Sequence, residues 1–309
     1  MKKQILVAEF LSTPWALMPE RLTAFASVIS RWQSGAPRAM DDDDVPSKPR
    51  GFEAARQKAQ AQVGDGYIAV LPLYGAVVQR ANMATDFCGG TSCQQFTAAF
   101  REAVADPRVS GILIDIDSPG GSVYGVSELG AEIFAARDKK KIVAVANSLA
   151  ASAAYWVGCA ASEFYMTPGG EVGSIGVWQA HEDWSKALDE QGIKTTLISS
   201  GKYKTEGNYY EPLGDDSKAF MQSRTDDYYN TFVAAVAQGR GVSVEQVRNG
   251  MGQGRVLGAD AALKENMVDG IATFDDVVRQ MQKDLPPRNA NASAKRRAER
   301  ERELQILDC

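Results

Sequence analysis

The sequence predicts an α/β protein in which repeated βα units lay down a mostly parallel sheet. Three observations carry that prediction. Short apolar, β-branched runs bounded by glycine or proline recur from residue 66 onward, as in "YIAVLPL" (67–73) and "GILIDI" (111–116). Segments of helical character separate such runs, at roughly 92–105, 125–137, 150–161 and 182–191. Strands alternating with helices imply crossover connections and parallel pairing. Finally, the strands are apolar along their whole length, which fits a sheet covered on both faces.

Along the chain, residues 5–34 are compatible with one or two short helices. The stretch "SGAPRAMDDDDVPSKPRG" (34–51) combines a four-aspartate run with three prolines and two glycines. Such a composition buries too little surface to fold and reads as a linker, with Asp41–Asp44 a solvated acidic run rather than a metal site. After the first two strands come further candidates: "KIVAVAN" (141–147), "EFYM" (163–166), "SIGVW" (174–178) and "IKTTLI" (193–198). A longer helix is expected over 216–239, with "DDSKAF" supplying an N-cap and an acidic first turn. A capped helix over 243–250, another over 258–271 and a final strand or helix follow. Past Pro286–Pro287 the chain is polar and mixed in charge, a disordered end or a lone charged helix. The expected division is an N-terminal helical segment and linker over 1–60, a catalytic-sized α/β domain over 61–285 and a tail over 286–309.

At 309 residues with 44% apolar and 24% charged content, the chain is that of an ordinary soluble globular protein. A net charge of −5 argues against a nucleic-acid partner, which favours a basic face. Cys88, Cys93, Cys159 and Cys309 lack paired C-x-x-C spacing, so reduced thiols are expected rather than a zinc site. The opening "MKKQILVAEFLSTPWALMPERL" is interrupted by Glu9, prolines and Arg21, so it makes no signal-peptide core. No apolar run reaches the length of a membrane span. The expectation is a soluble cytoplasmic protein.

Two stretches carry chemistry. In "ANSLAASAAYW" (146–156) Ser152 sits among small residues at a strand-to-helix turn, a seat for a nucleophile. A serine hydroxyl needs a neighbouring base. The chain has one histidine, His181, and the other option is a lysine whose amine is neutral because it is buried. In "LISSGKYKTEGNYYEPLG" (197–214) Lys202 and Lys204 would point together in extended geometry with Tyr203 pointing away. The residues alone leave the two open. In "DIDSPGGSVYG" (115–125) Pro119 stiffens a turn and Gly120 and Gly121 let backbone come close to a bound group. Their N–H groups, with the one after Ser152, suit an oxyanion. Asp115 and Asp117 read as strand-end turn formers in preference to acid–base residues. A P-loop fails, because Thr196 stands where its first glycine belongs, and "GMGQGR" (250–255) lacks the third glycine of a dinucleotide fingerprint.

Taken together, "DIDSPGGSVYG", "NSLAASAAYWVGCAASEFYMTPGGEVGSIGV" and "SGKYKTEGNYYEPL", in this order and spacing, resemble the S49 peptidases. These are the signal peptide peptidase A family, whose fold is related to ClpP and the crotonases. The opening "EFLSTPWALMPERL" resembles the phage head-maturation branch. The resemblance implies a ClpP/crotonase-like fold and a Ser–Lys peptidase without metal or organic cofactor. It makes Ser152 the nucleophile and Lys204, not Lys202, the base. Ser174 would hold the lysine amine, and Gly120, Gly121 and the amide of Ala153 would form the oxyanion hole. His181 is then a surface or capping residue.

By the same resemblance the partners are protein or peptide substrates, namely scaffold, portal or capsid proteins inside a procapsid in the host cytoplasm, with neither nucleic acid nor membrane involved. A homo-oligomer is implied, in which a neighbour can complete the dyad. Self-cleavage would be easiest in the 34–51 linker or near Pro286. The rival readings are a non-catalytic capsid- or scaffold-binding protein on the same fold, a ClpP-like Ser–His peptidase, and a crotonase acting on an acyl thioester.

Overall fold

The computed structural model describes residues 14–18, 60–63, 66–81 and 90–285. The linker at 34–51, most of the 1–60 segment, Cys88, Cys309 and the 286–309 tail lie outside the described residues. In chain order the strands and helices begin with β1 (Trp15–Leu17), β2 (Gln60–Val63), β3 (Gly66–Tyr74), β4 (Val77–Val78), β5 (Thr91–Ser92) and α1 (Cys93–Ala105). There follow β6 (Val109–Ser118), β7 (Gly120–Ser122), α2 (Val126–Ala135), β8 (Lys141–Ala151), α3 (Ala153–Gly158), β9 (Glu163–Met166) and β10 (Glu171–Gly173). The last part holds α4 (Ser185–Glu190), α5 (Asp215–Arg240), α6 (Val244–Asn249), β11 (Val256–Gly258), α7 (Ala259–Lys264), β12 (Gly270–Ile271) and α8 (Phe274–Asp284).

The central sheet runs β11-β10-β8-β6-β3-β2, with β9 also on β8 and β12 on β9. Its pairs are parallel except at the two ends, β2 with β3 and β10 with β11. The expected mostly parallel α/β architecture is therefore what the chain adopts. The reason the strands read as unbroken apolar runs is visible in the packing. Ile112, Ile114 and Ile116 enter the main core with Phe96, Phe100 and Trp156. Their alternates, Leu113 with Val70, Val143 and Val145, meet Val277 and Met281 of α8 on the other face. Burial on both faces removes the polar alternate positions of a half-exposed strand.

Several sequence expectations change. Trp15–Leu17, inside the stretch compatible with helices, is a strand because it pairs with β7. "SIGVW" and "IKTTLI" are not strands: Trp178 makes an isolated bridge, and the 193–198 segment leaves Ile198 96% exposed. The helix expected at 150–161 is only Ala153–Gly158, because β8 continues to Ala151 between β10 and the end of β6. The helix at 258–271 stops at Lys264, shortly before Asn266 takes φ 58°, and the chain then pairs with β9. Gly214, not an aspartate, stands at the start of α5, while Asp215 and Asp216 occupy its first turn. The capped helix does form, with a reciprocal Ser243–Gln246 capping box.

Helix α5 reaches the core through its C-terminal half, where Phe232 stacks on Trp156 at 4.6 Å. Its end is fixed by Arg240, whose guanidinium donates to both oxygens of Asp269 at 2.8 Å and to the Asn266 carbonyl at 2.9 Å. The Phe164 amide also donates to Asp269, at 2.7 Å. Burial raises the Asp269 carboxyl, but Arg240 and the Phe164 amide outweigh it and hold the group below its usual value. A depressed carboxyl stabilises the fold above its unfolded value, and that contribution is lost as pH falls through the folded value. The side chain of Arg240 is only 6% exposed. Asp269→Ala, which leaves that buried charge without its partner, is expected to cost about 3 kcal/mol. Denaturant unfolding at neutral pH checks this, and repeating it in acid should show the gap between variant and wild type narrowing.

Candidate active site

Parallel strands β3, β6 and β8 all end at one edge of the sheet, and their connections build the site. β8 runs to Ala151, and Ser152 then takes φ 56° and ψ −118° before α3 begins. A non-glycine residue in that region stores strain of order 1–3 kcal/mol, persists only where its surroundings force it, and clusters at functional sites. The surroundings are evident: Ser152 donates its N–H to the Gly173 carbonyl at 2.7 Å and accepts from Trp156 N at 3.0 Å. Ser152 is 1% exposed, yet among the described residues its Oγ has no hydrogen-bond partner. A buried hydroxyl without a partner is costly and calls for an explanation.

The SPGG strand lies against this serine. A methyl added to Gly120 would run into the Ala16 carbonyl oxygen, with Ser152 Cβ at 2.8 Å and Ala151 O at 3.0 Å. One added to Gly121 would fall on the backbone of Val77. Both positions therefore need glycine for close backbone approach. As donors the three expected amides differ. Gly120 N–H is already given to Ser118 Oγ at 3.2 Å, and that hydroxyl donates to Gly75 O at 2.6 Å. Gly120 thus gives room for close backbone approach, while its own N–H has an acceptor two residues back. Ala153 opens α3, where the first amides have no acceptor within the helix. Ser174, at φ 54°, follows directly on Gly173, the residue that receives the Ser152 N–H.

The candidate bases are not at the serine. Lys204 is exposed, in a run of turns framed by Gly201 at φ 103° and Gly207 at φ 65°. The loop is turned rather than extended, and the Lys202 amine lies over the Tyr203 ring at 4.6 Å, so Tyr203 does not point away from it as extended geometry would have it. His181 Nε2 is 2.9 Å from the Asn208 carbonyl and its ring stacks on Tyr209. Neither Lys204 nor His181 reaches Ser152 Oγ within the described chain.

The sequence motifs do not disclose a polar cluster on the strands that lead to the site. Asp115 is buried within β6, not at a turn, and accepts from Tyr74 Oη and, at 3.1 Å, from Asn147 Nδ2. Burial pushes its carboxyl up, and those two hydrogen bonds work against the rise. The cluster joins β3, β6 and β8 near their C-terminal ends. Its signal is the single acid in "GILIDI", a polar residue inside the buried stretch of the strand. Among the described residues no group of three or more His, Cys, Asp or Glu side chains is placed to hold a metal ion.

This strained serine at a strand–helix junction, with glycine backbone packed on it, is the kind of site hydrolases use, and comparison with known sequences agrees. Residues 135–286 match peptidase family S49, and the mostly parallel α/β sheet is the ClpP/crotonase-like fold of those peptidases. Over 281 residues it is 34% identical to the capsid assembly protease C of Escherichia phage lambda, covering 91% of this chain and 60% of that one. It is 30% identical over 285 residues to the head-tail preconnector protein GP5 of Enterobacteria phage P21, covering 89% and 56%. Protease 4 of Salmonella typhi is 30% identical over 222 residues, 72% of this chain and 35% of that one. The chain thus spans little more than half the length of the two phage relatives.

Proposed function

We propose that this protein is a serine endopeptidase of phage head assembly, with Ser152 as nucleophile and Lys204 as base. The observation that carries the reading is the strained, buried Ser152 whose Oγ no group among the described residues engages. Attack by Oγ on a peptide carbonyl gives an acyl-enzyme once the base takes the proton. The Gly121 and Ala153 amides stabilise the oxyanion, and the base returns the proton to the leaving amine before water is activated in turn. Ser174, next in the chain to the serine's own backbone partner, would steady the base. The phage relatives support scaffold, portal or capsid proteins as substrates and the procapsid as the place of action. Among the described residues no helix is long and apolar enough to cross a membrane.

Lys204 is exposed and does not reach Ser152 Oγ within the described chain, and burial is what suits a lysine to act as a base, so the reading has another surface cover it. Its arm carries large exposed apolar side chains, Leu197, Ile198 and Tyr203, as a segment that docks on a neighbour would. The reading therefore has Lys204 of one protomer completing the Ser152 site of the next. Mixing Ser152→Ala and Lys204→Ala chains tests it. Random one-to-one assembly restores about a quarter of the sites in a head-to-tail ring. No recovery, from variants shown to co-assemble, rejects the shared site.

A further inference from the structure

We infer that Pro14–Met18 lies in the peptide cleft as a substrate strand, with the Ala16–Leu17 bond presented to Ser152, and that the protein cuts itself there. This deepens the peptidase reading and rests on it. The segment is held by backbone on both sides. On one flank β1 pairs antiparallel with β7, setting Ala16 opposite Gly121 and Leu17 opposite Gly120. On the other, Trp15 and Trp178 exchange N–H···O bonds at 2.9 and 3.0 Å, and the Trp178 indole donates to Leu17 O at 2.9 Å. Without β1, the glycine strand beside the serine would present an unpaired backbone edge, the surface on which extended peptides add as a strand. A cleft that recognises its occupant by main-chain bonds accepts any extended segment of fitting side chains, its own included.

The register selects the bond. Met18 N donates to Pro119 O at 3.1 Å, and Val123 N to Pro14 O at 3.4 Å. Hydrogen-bonded pairs alternate along an antiparallel ladder, so Ala16 and Gly121 form the bonded pair between these two. The Ala16 carbonyl thereby faces the Gly121 amide, one of the two proposed oxyanion donors. The Ala16 oxygen and Ser152 Cβ border the same small space, the one a Gly120 methyl would take. Ala16 is fully buried, and Trp15 and Leu17 on either side are nearly so. The carbonyl of Leu17, one residue on, is instead taken by the Trp178 indole.

The chemistry balances with water as the only co-reactant. Ser152 Oγ bonds to the Ala16 carbonyl carbon as its proton passes to the base. The Ala16–Leu17 C–N bond breaks, and the proton moves to the Leu17 amine. Water then hydrolyses the Ala16 ester, leaving a carboxylate on Ala16 and restoring the serine.

The test is intact mass and N-terminal sequencing of the assembled full chain, wild type beside Ser152→Ala, with β-casein added as an independent substrate. A small buried serine changed to alanine leaves the packing in place. The expected result is a new N-terminus at Leu17 in the wild type only, with casein digested. Casein digestion with residues 14–18 still joined, or a cut at some other bond alone, overturns the inference and leaves the peptidase reading intact. If the wild type cuts neither itself nor casein, the peptidase reading fails and the inference with it.

Discussion

Changing Ser152 to alanine is expected to lower proteolysis by about 10⁴-fold or more, because no other group offers a nucleophile to the acyl-transfer step. Stability should barely change. The variant removes an Oγ that makes no hydrogen bond, while the N–H to Gly173 and the acceptor for Trp156 N are backbone and remain. Lys204→Ala should give a loss of similar size, since a dyad acts as a unit. His181→Ala should retain activity, because that imidazole is bonded to the Asn208 carbonyl and stacked on Tyr209. Rates on β-casein with melting curves for all three variants decide the matter. Loss with His181→Ala and survival with Lys204→Ala would replace the Ser–Lys mechanism by Ser–His chemistry. Unchanged proteolysis in Ser152→Ala would reject the serine altogether.

Gly121→Ala is expected to be nearly as damaging by a different route. Its methyl would land on the Val77 carbonyl, with Val77 C at 2.5 Å and Val77 N at 2.6 Å. These atoms are backbone of the paired strand β4, so no side-chain rotation relieves the clash and two strands must part. A cost of at least about 3 kcal/mol is expected, the upper end for overpacking. The amide proposed to face the oxyanion moves with the strand, so activity should fall further than stability alone explains. Gly169 is the control: nothing lies within 4 Å of its added methyl, and Gly169→Ala should stay within about 0.5 kcal/mol of wild type. Denaturant midpoints and casein rates measured together separate the two effects. A Gly121→Ala protein with wild-type midpoint and rate would show that the strands are not held as described.

The parts that were legible in the sequence are those set by local pattern. Nearly continuous apolar runs such as "GILIDI" gave central strands, and turn chemistry gave the capped helix at 243–250, whose Ser243–Gln246 box the structure adds. The three motifs gave the family, since each glycine and serine at that spacing answers a requirement local to its own turn. "IKTTLI" misled because alternation and β-branching describe a side-chain preference, whereas a strand also needs a partner edge, and Ile198 has none among the described residues. Trp15–Leu17 misled in the opposite sense. Nothing in three residues specifies a strand, and their pairing energy comes from a segment more than a hundred residues away.

By itself, then, the sequence determined the fold class, the seat of Ser152, and the two glycines at which close backbone approach is needed. Those are short-range demands of φ, volume and hydropathy. Tertiary structure alone decided which of these groups meet. It buried Ser152 without a partner, took the Gly120 amide for Ser118, buried Asp115 beneath Tyr74 and Asn147, left Lys204 facing outward, and seated residues 14–18 between Gly121 and Trp178. Each is a contact between segments far apart in the chain, fixed by sheet register and loop path rather than by any neighbouring residue.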